Sequence, residues 1–315
     1  MIEQFMDDVD FGLSQQQKSL PSKYFYNKEG DALFVKIMHL PEYYLTRSEL
    51  EVFQTKSTEL LNILKLSKEN YFELIELGAG DGLKTKELLK VLIDENYSFG
   101  YLPVDISKNA LDNLEKTLKN ELPKVSVKQQ QGDYFEVLDA IKNSEHQKIV
   151  LFLGSNIGNM NDEIAADFIY KLGKSFKPND KLLLGVDLIK PESIVLPAYN
   201  DKEGVTADFN LNLLKRINKE LEADFDLKNF SHAPEYSEET GIAKSYLQSD
   251  VAQNVTIKKL NKSFAFEAGE KIFTEISRKY NDEIIENIIS KTDFEVSGKL
   301  TDDKGYFANY ILTRK

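Results

Sequence analysis

The sequence has 315 residues, of which 41% are hydrophobic and 29% charged, a composition typical of a globular chain long enough for about two domains. It has 40 Lys and Arg against 52 Asp and Glu, so its formal charge of −12 disfavours a general nucleic-acid-binding protein. It has no cysteine, which excludes disulfides, cysteine-bound metals and thiol nucleophiles. The acidic start MIEQFMDDVDF lacks the features of a signal peptide, and no apolar run is long enough for a membrane span, so we expect a cytoplasmic protein.

The first part of the chain predicts little regular structure before one helix. Residues 1 to about 45 mix short apolar pieces with turn signals such as Ser19-Leu20-Pro21 and Asn27 to Gly30. Apolar residues then recur at helical spacing from Leu50 to Leu64, and Thr46 is a candidate cap for that helix.

Strands and helices alternate in the middle of the chain. The predicted strands are Phe72–Leu77, Tyr101–Ile106, Val125–Gln129, Ile149–Leu153 and Leu182–Leu188, and the predicted helices are Leu83–Leu92, Ala110–Leu122 and Ala165–Phe176. Apolar strands that alternate with helices indicate a parallel sheet covered on both faces. We therefore predict an α/β fold with a doubly wound, Rossmann-like sheet.

The alternation stops near residue 190. Beyond it we predict helices at Ala207–Glu222 and Tyr280–Ser290, two short strands within Asn254–Phe266, and a final pair of strands at Phe294–Leu300 and Phe307–Leu312. The simplest organisation has two discontinuous domains. Residues 46–189 plus 281–315 form the sheet domain, and residues 1–45 plus 190–280 form a second domain.

A glycine-rich junction follows the first predicted strand. It reads ELGAGDGLKT, from Glu76 to Thr85, and its glycines allow positive φ angles and close approach of a ligand. It is not a P-loop, and the third glycine of a GxGxxG dinucleotide motif would fall at Leu83. The alternative is that these glycines only make a tight turn.

Two acidic residues follow the next two predicted strands. Asp105 lies where a carboxylate can accept hydrogen bonds from ribose hydroxyls, and Asp133 lies where one can meet an adenine amino group. Helix capping is the competing interpretation, above all for Asp105 and Ser107. Taken with the glycine loop, the arrangement resembles class I methyltransferases that bind S-adenosylmethionine.

Longer motifs narrow the resemblance. They are SLPSKYFYNKEG (19–30), LPEYYLTRSE (40–49), FLGSNIGN (152–159), LLLGVDLIKP (182–191), AYNDKEGVTADFN (198–210), ELEADFD (220–226) and FTEISRKY (273–280). With ELGAGDGLKT, they resemble the histidine-specific Nα-methyltransferases of the ergothioneine pathway, from about residue 19 onward. That resemblance implies a Rossmann-like core, a second α+β domain for the amino acid, S-adenosylmethionine as donor, and three methyl transfers from L-histidine to the betaine hercynine.

The resemblance also implies roles for individual residues. The donor-binding residues would be Gly78, Gly80, Lys84, Asp105 at the ribose, Asp133 and Tyr134 at the adenine, Gly154 and Ser155. The substrate residues would be Tyr43, Asn159 and Tyr199 at the α-carboxylate and amino end, Tyr26 at the methylated nitrogen, and Glu275 and Ser277 at the imidazole. Tyr26 and Asn159 would act at the reacting amine.

Several of these substrate residues also have a simpler interpretation. By composition alone, Tyr24, Phe25, Tyr26, Tyr43 and Tyr44 would be core aromatics. Asn159 would be a turn residue, and Glu275 would lie on a solvated helix face. We interpret all three histidines (His39, His146, His232) as structural.

One stretch departs from the family pattern. Where the family carries Ile-Glu-Met, with the Met against the substrate ring, this chain reads GIAKSYLQS, and Ser245 takes the Met position. Loss of one apolar contact weakens discrimination by only ~1–3 kcal/mol, so another amino acid or a methylated histidine is an alternative substrate.

Two further classes remain open. One is a non-catalytic protein that senses S-adenosylmethionine or an amino acid; the other, a nicotinamide oxidoreductase, is disfavoured by the poor GxGxxG match. We expect a monomer that uses a small amino-acid substrate, without a metal and without nucleic-acid or membrane partners.

Overall fold

A computed structural model describes residues 2–315, and the chain divides into two compact units. The core unit comprises Leu45–Ile189 and Arg278–Lys315, and the second unit comprises the chain up to Tyr44 together with Lys190–Ser277. The chain returns from the second unit to the core unit after Ser277, whereas the predicted boundary was after residue 280. Arg278, Lys279 and Tyr280 therefore belong to the core unit.

The helices, in chain order, are α1 (Ile2–Leu13), α2 (Lys28–His39), α3 (Leu45–Leu64), α4 (Thr85–Asp94), α5 (Lys108–Glu121), α6 (Tyr134–Ile141), α7 (Asp162–Gly173), α8 (Glu192–Val195), α9 (Val205–Leu221) and α10 (Asp282–Ile289). The strands are β1 (Phe72–Leu77), β2 (Phe99–Asp105), β3 (Gln130–Gln131), β4 (Gln147–Phe152), β5 (Lys181–Asp187), β6 (Phe230–His232), β7 (Glu235–Ser237), β8 (Ile242–Ser249), β9 (Gln253–Ile257), β10 (Lys262–Phe266), β11 (Lys271–Arg278), β12 (Phe294–Thr301) and β13 (Phe307–Arg314). Among the described residues, no helix combines the length and apolar character that a membrane span requires.

The core unit contains one seven-stranded sheet in the order β12-β13-β5-β4-β1-β2-β3. The strands from β5 to β3 are parallel, while β13 lies antiparallel between β5 and β12. Apolar clusters fill both faces, one with α6, α7 and α10 and the other with α3, α4 and α5, because successive buried strand residues point to alternate sides. This arrangement confirms the Rossmann-like α/β prediction.

The second unit contains a four-stranded sheet built on β8, a two-stranded sheet of β9 and β10, and helices α1, α2 and α9. Its apolar cluster joins the first helix to the inserted segment, since Phe5, Val9 and Leu13 pack with Leu213 and Ile217 of α9. The strands β8 and β11 carry three of the predicted substrate residues, Ser245, Glu275 and Ser277.

The N-terminal segment corrects one prediction. Two twelve-residue helices, α1 and α2, occupy a region for which the turn signals predicted no long helix. Phe5, Val9 and Leu13 repeat every fourth residue and form the buried stripe of α1. The supposed turn at Asn27 is a helix start, where the Asn27 side chain accepts a hydrogen bond from the Gly30 N–H at 2.8 Å.

Other elements differ from the prediction as well. The third strand is only Gln130–Gln131, and Val127 makes an isolated bridge to Tyr101, because this sheet edge pairs with β2 only in places. The helix α3 already begins at Leu45, so Thr46 lies within its first turn. The helix α6 and the strands β6, β7, β8 and β11 were not predicted; in β8 the buried positions include Ser245 and Ser249, which weakens the apolar alternation.

Candidate active site

The loop between β1 and α4 is a glycine cradle. Gly78, Gly80 and Gly82 have φ angles of +72°, +53° and +65°, a region that residues with a side chain rarely adopt. A Cβ at Gly78 would lie 2.7 Å from the Tyr134 hydroxyl oxygen, whereas a Cβ at Gly80 would meet nothing within 4 Å. The loop is therefore closed against Tyr134 on one side and open at Gly80, as ligand binding by its backbone requires.

Asp105 ends β2 and contacts this loop. Its Oδ2 accepts a hydrogen bond from the Gly80 N–H at 3.3 Å, and its Oδ1 accepts one from the Ser107 N–H at 2.9 Å. The cap of α5 is Ser107, whose Oγ accepts a hydrogen bond from the Ala110 N–H at 3.2 Å. The capping interpretation thus holds for Ser107, and Asp105 is a half-buried carboxylate beside the glycine cradle.

Asp133 and Tyr134 begin α6. Asp133 caps that helix, with its Oδ1 accepting from the Phe135 N–H at 2.8 Å, so its helix-capping interpretation is correct for at least this oxygen. The Tyr134 hydroxyl reaches Gly78. Burial, followed by the charges of Asp105 and Asp133, raises the pKa of Tyr134, so the phenol is neutral at physiological pH.

The end of β4 forms a second tight loop. Gly154 and Ser155 have φ angles of +76° and +57°, and Ser155 is a non-glycine residue in the left-handed region. The Ser155 side chain is buried, and its Oγ accepts a hydrogen bond from the Asp187 N–H at 3.0 Å, which ties the ends of β4 and β5 together. The Gly154 N–H donates to Glu49 at 2.9 Å, and Glu49 also pairs with Lys84.

The same loop contains an asparagine that sequence reasoning missed. The Asn156 side chain lies within 4.0 Å of a Cβ built on Gly78 and within 3.7 Å of one built on Gly154. It therefore stands between the two loops, at the start of the short helix Asn156–Asn159. The only sequence signal was its position inside FLGSNIGN. Asn159, the predicted substrate residue, ends this short helix and is exposed.

Tyr26 lies in an aromatic cluster of the second unit and is influenced by the charge of Glu275. The Tyr26 ring is edge-on to Phe34 and Phe209, each at 5.7 Å between centroids, while 44% of the residue is exposed. Desolvation raises the pKa of the Tyr26 phenol well above its ordinary value, and the negative charges of Glu275 and then Asp31 raise it further. Tyr26 is therefore a neutral hydrogen-bonding group and not a base. Its partly exposed ring contrasts with Tyr24, Phe25 and Tyr44, which are buried as the simpler interpretation requires.

Tyr199 and Ser277 are in direct contact. The Tyr199 hydroxyl and the Ser277 Oγ are 2.8 Å apart, so residues assigned to opposite ends of the substrate share one hydrogen bond. The His232 Nε2 lies 2.8 Å from the Tyr199 carbonyl oxygen, which requires a proton on Nε2. Burial lowers the pKa of His232, so a neutral imidazole fixes the Tyr199 backbone, in line with the structural role expected for it.

Tyr43 and Ser245 occupy less open positions. The ring of Tyr43 is edge-on to Phe34 at 6.4 Å between centroids. Ser245 is buried on the same alternating face of β8 as Leu247, and its carbonyl accepts a hydrogen bond from the Thr274 hydroxyl at 2.9 Å. The role of Ser245 at the substrate ring stays a prediction.

The fold and these loops together define the class of protein. A sheet of this order, with a glycine cradle after β1 and a carboxylate at the end of β2, is the architecture of an S-adenosylmethionine-dependent methyltransferase. The crystal structure of the CurJ carbon methyltransferase shares this fold, with a TM-score of 0.50 and 11% sequence identity over 91% of this chain and 59% of that one.

Sequence comparison identifies the family. The chain belongs to the histidine-specific, S-adenosylmethionine-dependent methyltransferases, whose family profile matches residues 5–314. It is 34% identical to a histidine N-alpha-methyltransferase of Mycolicibacterium smegmatis, with 98% of this chain and 94% of that protein covered. It is 35% identical to a histidine N-alpha-methyltransferase of Mycobacterium tuberculosis, with 95% and 92% covered.

The residues of the core unit fit this donor. S-adenosylmethionine carries an adenine, a ribose diol and a charged amino-acid end, and it needs close backbone approach at its binding loop. The open side of Gly80 offers that approach, Asp105 offers an acceptor for hydroxyls, and Lys84 offers a cation for a carboxylate.

Proposed function

We propose that this enzyme methylates the α-amino group of L-histidine, up to the trimethylated betaine hercynine. The observation that carries the proposal is the Glu275 and Ser277 pair on β11 in a chain that belongs to the histidine-specific family. A carboxylate is a natural acceptor for an imidazole N–H, and the serine hydroxyl can donate or accept at the second ring nitrogen.

The donor roles in the core unit belong to groups on three loops. Gly78 and Gly80 provide backbone contacts, Asp105 accepts from the ribose, and Tyr134 with Asp133 lies beside the adenine. Gly154, Ser155 and Lys84 receive the amino-acid end. The support is the cradle geometry, with positive φ angles at three glycines and a half-buried carboxylate bonded to Gly80.

Bound S-adenosylmethionine supplies a sulfonium-activated methyl group that a neutral amine can accept. The work of the protein is then orientation, which contributes much of the rate in such displacements. Tyr43, Tyr199 and Asn159 are neutral donors suited to the α-carboxylate, so they hold the amino acid without a buried unpaired charge. Tyr26 stays neutral because its pKa is raised, and its oxygen can accept a hydrogen bond from the α-amine and aim the nitrogen lone pair.

Product analysis tests the proposal. The enzyme is incubated with S-adenosylmethionine and each amino acid in turn, and the products are analysed by mass spectrometry. We expect histidine to gain one, two and three methyl groups, and the variant Glu275→Gln to lose this activity while it still binds S-adenosylhomocysteine. If the protein binds S-adenosylhomocysteine and histidine but makes no product, it is a sensor and the proposed activity is wrong.

Ser245 favours a second candidate substrate. Because a serine replaces the family's methionine, the ring pocket could take a different aromatic amino acid or a methylated histidine. The same panel decides between them, since a second substrate would exceed histidine in kcat/KM. The variant Ser245→Met would then shift the preference back toward histidine.

The setting of the reaction is also a proposal. We propose a cytoplasmic monomer that acts on a free amino acid, in keeping with the acidic net charge of −12. Sedimentation measurements and cell fractionation test these two points.

A further inference from the structure

Glu49 is a charged residue with no exposure to solvent. It lies on α3, within the LTRSE stretch, and its side chain is 0% exposed. Burial of an isolated carboxylate is costly, so the contacts that compensate for this cost indicate what the residue does.

Three segments of the core unit converge on this carboxylate. Its Oε2 pairs with the Lys84 Nζ and accepts a hydrogen bond from the Gly154 N–H at 2.9 Å. Its Oε1 accepts one from the Asn309 Nδ2 at 3.0 Å. Glu49 therefore joins the end of the glycine loop, the loop after β4 and the strand β13.

A fourth segment, the strand β5, leaves space for the Glu49 carboxylate at Gly185. A Cβ at Gly185 of β5 would lie 2.1 Å from the Glu49 Oε1. Gly185 has no positive φ angle, so its conformation suits any residue. The glycine is needed at this position for the space that the Glu49 carboxylate fills.

Glu49 connects two loops, those of Lys84 and Gly154, and both are proposed to bind the methyl donor. Lys84 follows Gly78, Gly80 and Gly82, and Gly154 is the first residue of the tight loop that ends β4. A long lysine side chain has many rotamers, and a fixed anion behind it restricts where its ammonium group can lie. The same anion also fixes the peptide of Gly154.

We propose that Glu49 is a positioning residue for the methyl donor: it holds the Lys84 ammonium group and the Gly154 loop in one arrangement before the donor arrives. This inference rests on the proposed function for the identity of the donor, and it does not depend on which amino acid is methylated. Glu49 acts through Lys84 and Gly154 and does not itself need to touch the donor.

The variant Glu49→Gln tests the charge while it keeps the shape. Its amide oxygen can still accept from the Gly154 N–H, and its amide nitrogen can donate to the buried Asn309 Oδ1 once the Asn309 amide turns over, because Nδ2 is the Asn309 atom that faces Glu49 and Oδ1 has no hydrogen-bond partner. We expect the Kd for S-adenosylhomocysteine to rise about tenfold to a hundredfold, because an ion-pair partner of Lys84 is lost. The KM for S-adenosylmethionine should rise more than the KM for the amino acid.

Asp180→Asn is the matched control. Asp180 is 2% exposed, pairs with Lys148 at 2.8 Å, and accepts from the backbone N–H groups of Lys148 and Lys177, each at 2.8 Å. It lies at the amino-terminal end of β5, the opposite strand end from the glycine loop. We expect this variant to lower the melting temperature and to leave the Kd for S-adenosylhomocysteine within about twofold of the wild type.

Gly185→Ala gives an independent test. The added methyl group displaces the Glu49 carboxylate without a change in charge, so donor affinity should fall in the same direction. In a Glu49→Ala background the same substitution should have a much smaller effect, because the Glu49 Oε1, the atom nearest the added methyl group, is then absent and only the Asn309 amide remains close. If Glu49→Gln does not fold, Gly185→Ala decides by the same measurement.

Two results would overturn the proposal: an unchanged affinity for S-adenosylhomocysteine in the folded variants, or an equal loss in Asp180→Asn. Failure of the proposed function has a different signature. A wild-type enzyme that binds S-adenosylhomocysteine but methylates no amino acid would refute histidine methylation, while the affinity comparison would still support or overturn the role of Glu49.

Discussion

The two units present their functional groups in different ways. In the core unit, backbone geometry dominates: positive φ angles at Gly78, Gly80 and Gly154 shape the loops, and buried ion pairs hold them. In the second unit, the functional groups are side chains on strands and loops, as in the hydrogen bond between Tyr199 and Ser277. Donor binding should thus be sensitive to backbone changes, and amino-acid selection to single polar groups.

The largest expected effect separates the two units by function. Glu275→Ala removes the proposed acceptor for the imidazole N–H, and a site built to bond such a group loses heavily without it. We expect kcat/KM for histidine to fall about a thousandfold, or ~4 kcal/mol of transition-state stabilisation. Calorimetry should show an unchanged Kd for S-adenosylhomocysteine; a parallel loss of donor affinity would contradict the separation.

A backbone change tests the core unit. Gly78→Ala combines a strained φ of +72° with a Cβ 2.7 Å from the Tyr134 hydroxyl oxygen. We expect about a hundredfold weaker binding of S-adenosylhomocysteine, since strain of ~1–2 kcal/mol adds to displacement of Tyr134.

Gly305→Ala is the control for this change. Its φ is +66°, and its Cβ would meet nothing within 4 Å, so it carries similar strain in the turn between β12 and β13. Gly305→Ala should lower the stability of the protein and leave its affinity for S-adenosylhomocysteine unchanged. Equal losses of donor affinity in the two variants would show that strain and not the site is responsible.

A buried carboxyl below the glycine loop predicts a pH dependence. Burial raises the pKa of Glu76 from 4.5 to about 7, against the opposing effects of its Tyr101 and Thr85 hydrogen bonds and the Lys84 charge, while Glu49 raises it further. The folded protein keeps this proton between the two pKa values while the unfolded chain releases it. The free energy of unfolding therefore falls as pH rises from about 4.5 to 7 and is level above that.

The contribution of this group should be about 2 kcal/mol between pH 5 and pH 8. Urea unfolding of the wild type and of Glu76→Gln across that range measures it, and the difference between the two removes the shared histidine titrations. The variant should have a flatter profile. Identical slopes would mean that Glu76 is not protonated in the folded state.

The smallest effect concerns a single hydroxyl in the second unit. Tyr199→Phe removes the hydrogen bond to Ser277 and keeps the ring. The proposed hydrogen bond from this hydroxyl to the substrate carboxylate contributes ~1.5 kcal/mol, so KM for histidine should rise about tenfold with little change in the KM for S-adenosylmethionine. Steady-state kinetics with each substrate varied checks this, and Tyr246→Phe, on β8, serves as a control that keeps the same contact.

The core was far more predictable from sequence than the second unit. Apolar strands that alternate with helices impose a parallel sheet, and glycines at a strand end mark a loop that needs positive φ angles. The boundaries of β1, β4 and β5 accordingly lie close to the prediction, whereas β3 is short because only Gln130 and Gln131 pair continuously with β2 and Val127 makes just an isolated bridge.

Several strands and contacts of the second unit could not be predicted from local sequence patterns, for physical reasons. Ser245 and Ser249 occupy buried positions of β8, so the apolar alternation that marks a strand is weak there. The hydrogen bond between Tyr199 and Ser277 joins residues far apart in sequence, so periodicity along the chain cannot predict it. Glu49 was missed as well, since the glutamate of TRSE resembles any polar residue of a helix until Lys84, Gly154 and Gly185 are seen around it.

The position of β13 between β5 and β12 has a consequence for synthesis on the ribosome. The second unit has all its segments once Ser277 has emerged, but the core sheet keeps an open edge at β5 until Phe307–Arg314 arrives. During translation, the nascent chain therefore exposes an unpaired edge of a strongly apolar strand from the emergence of Asp187 until Phe307–Arg314 has been made. Such an edge is prone to association with other chains, so the yield of folded enzyme should depend on chaperones that bind nascent polypeptides.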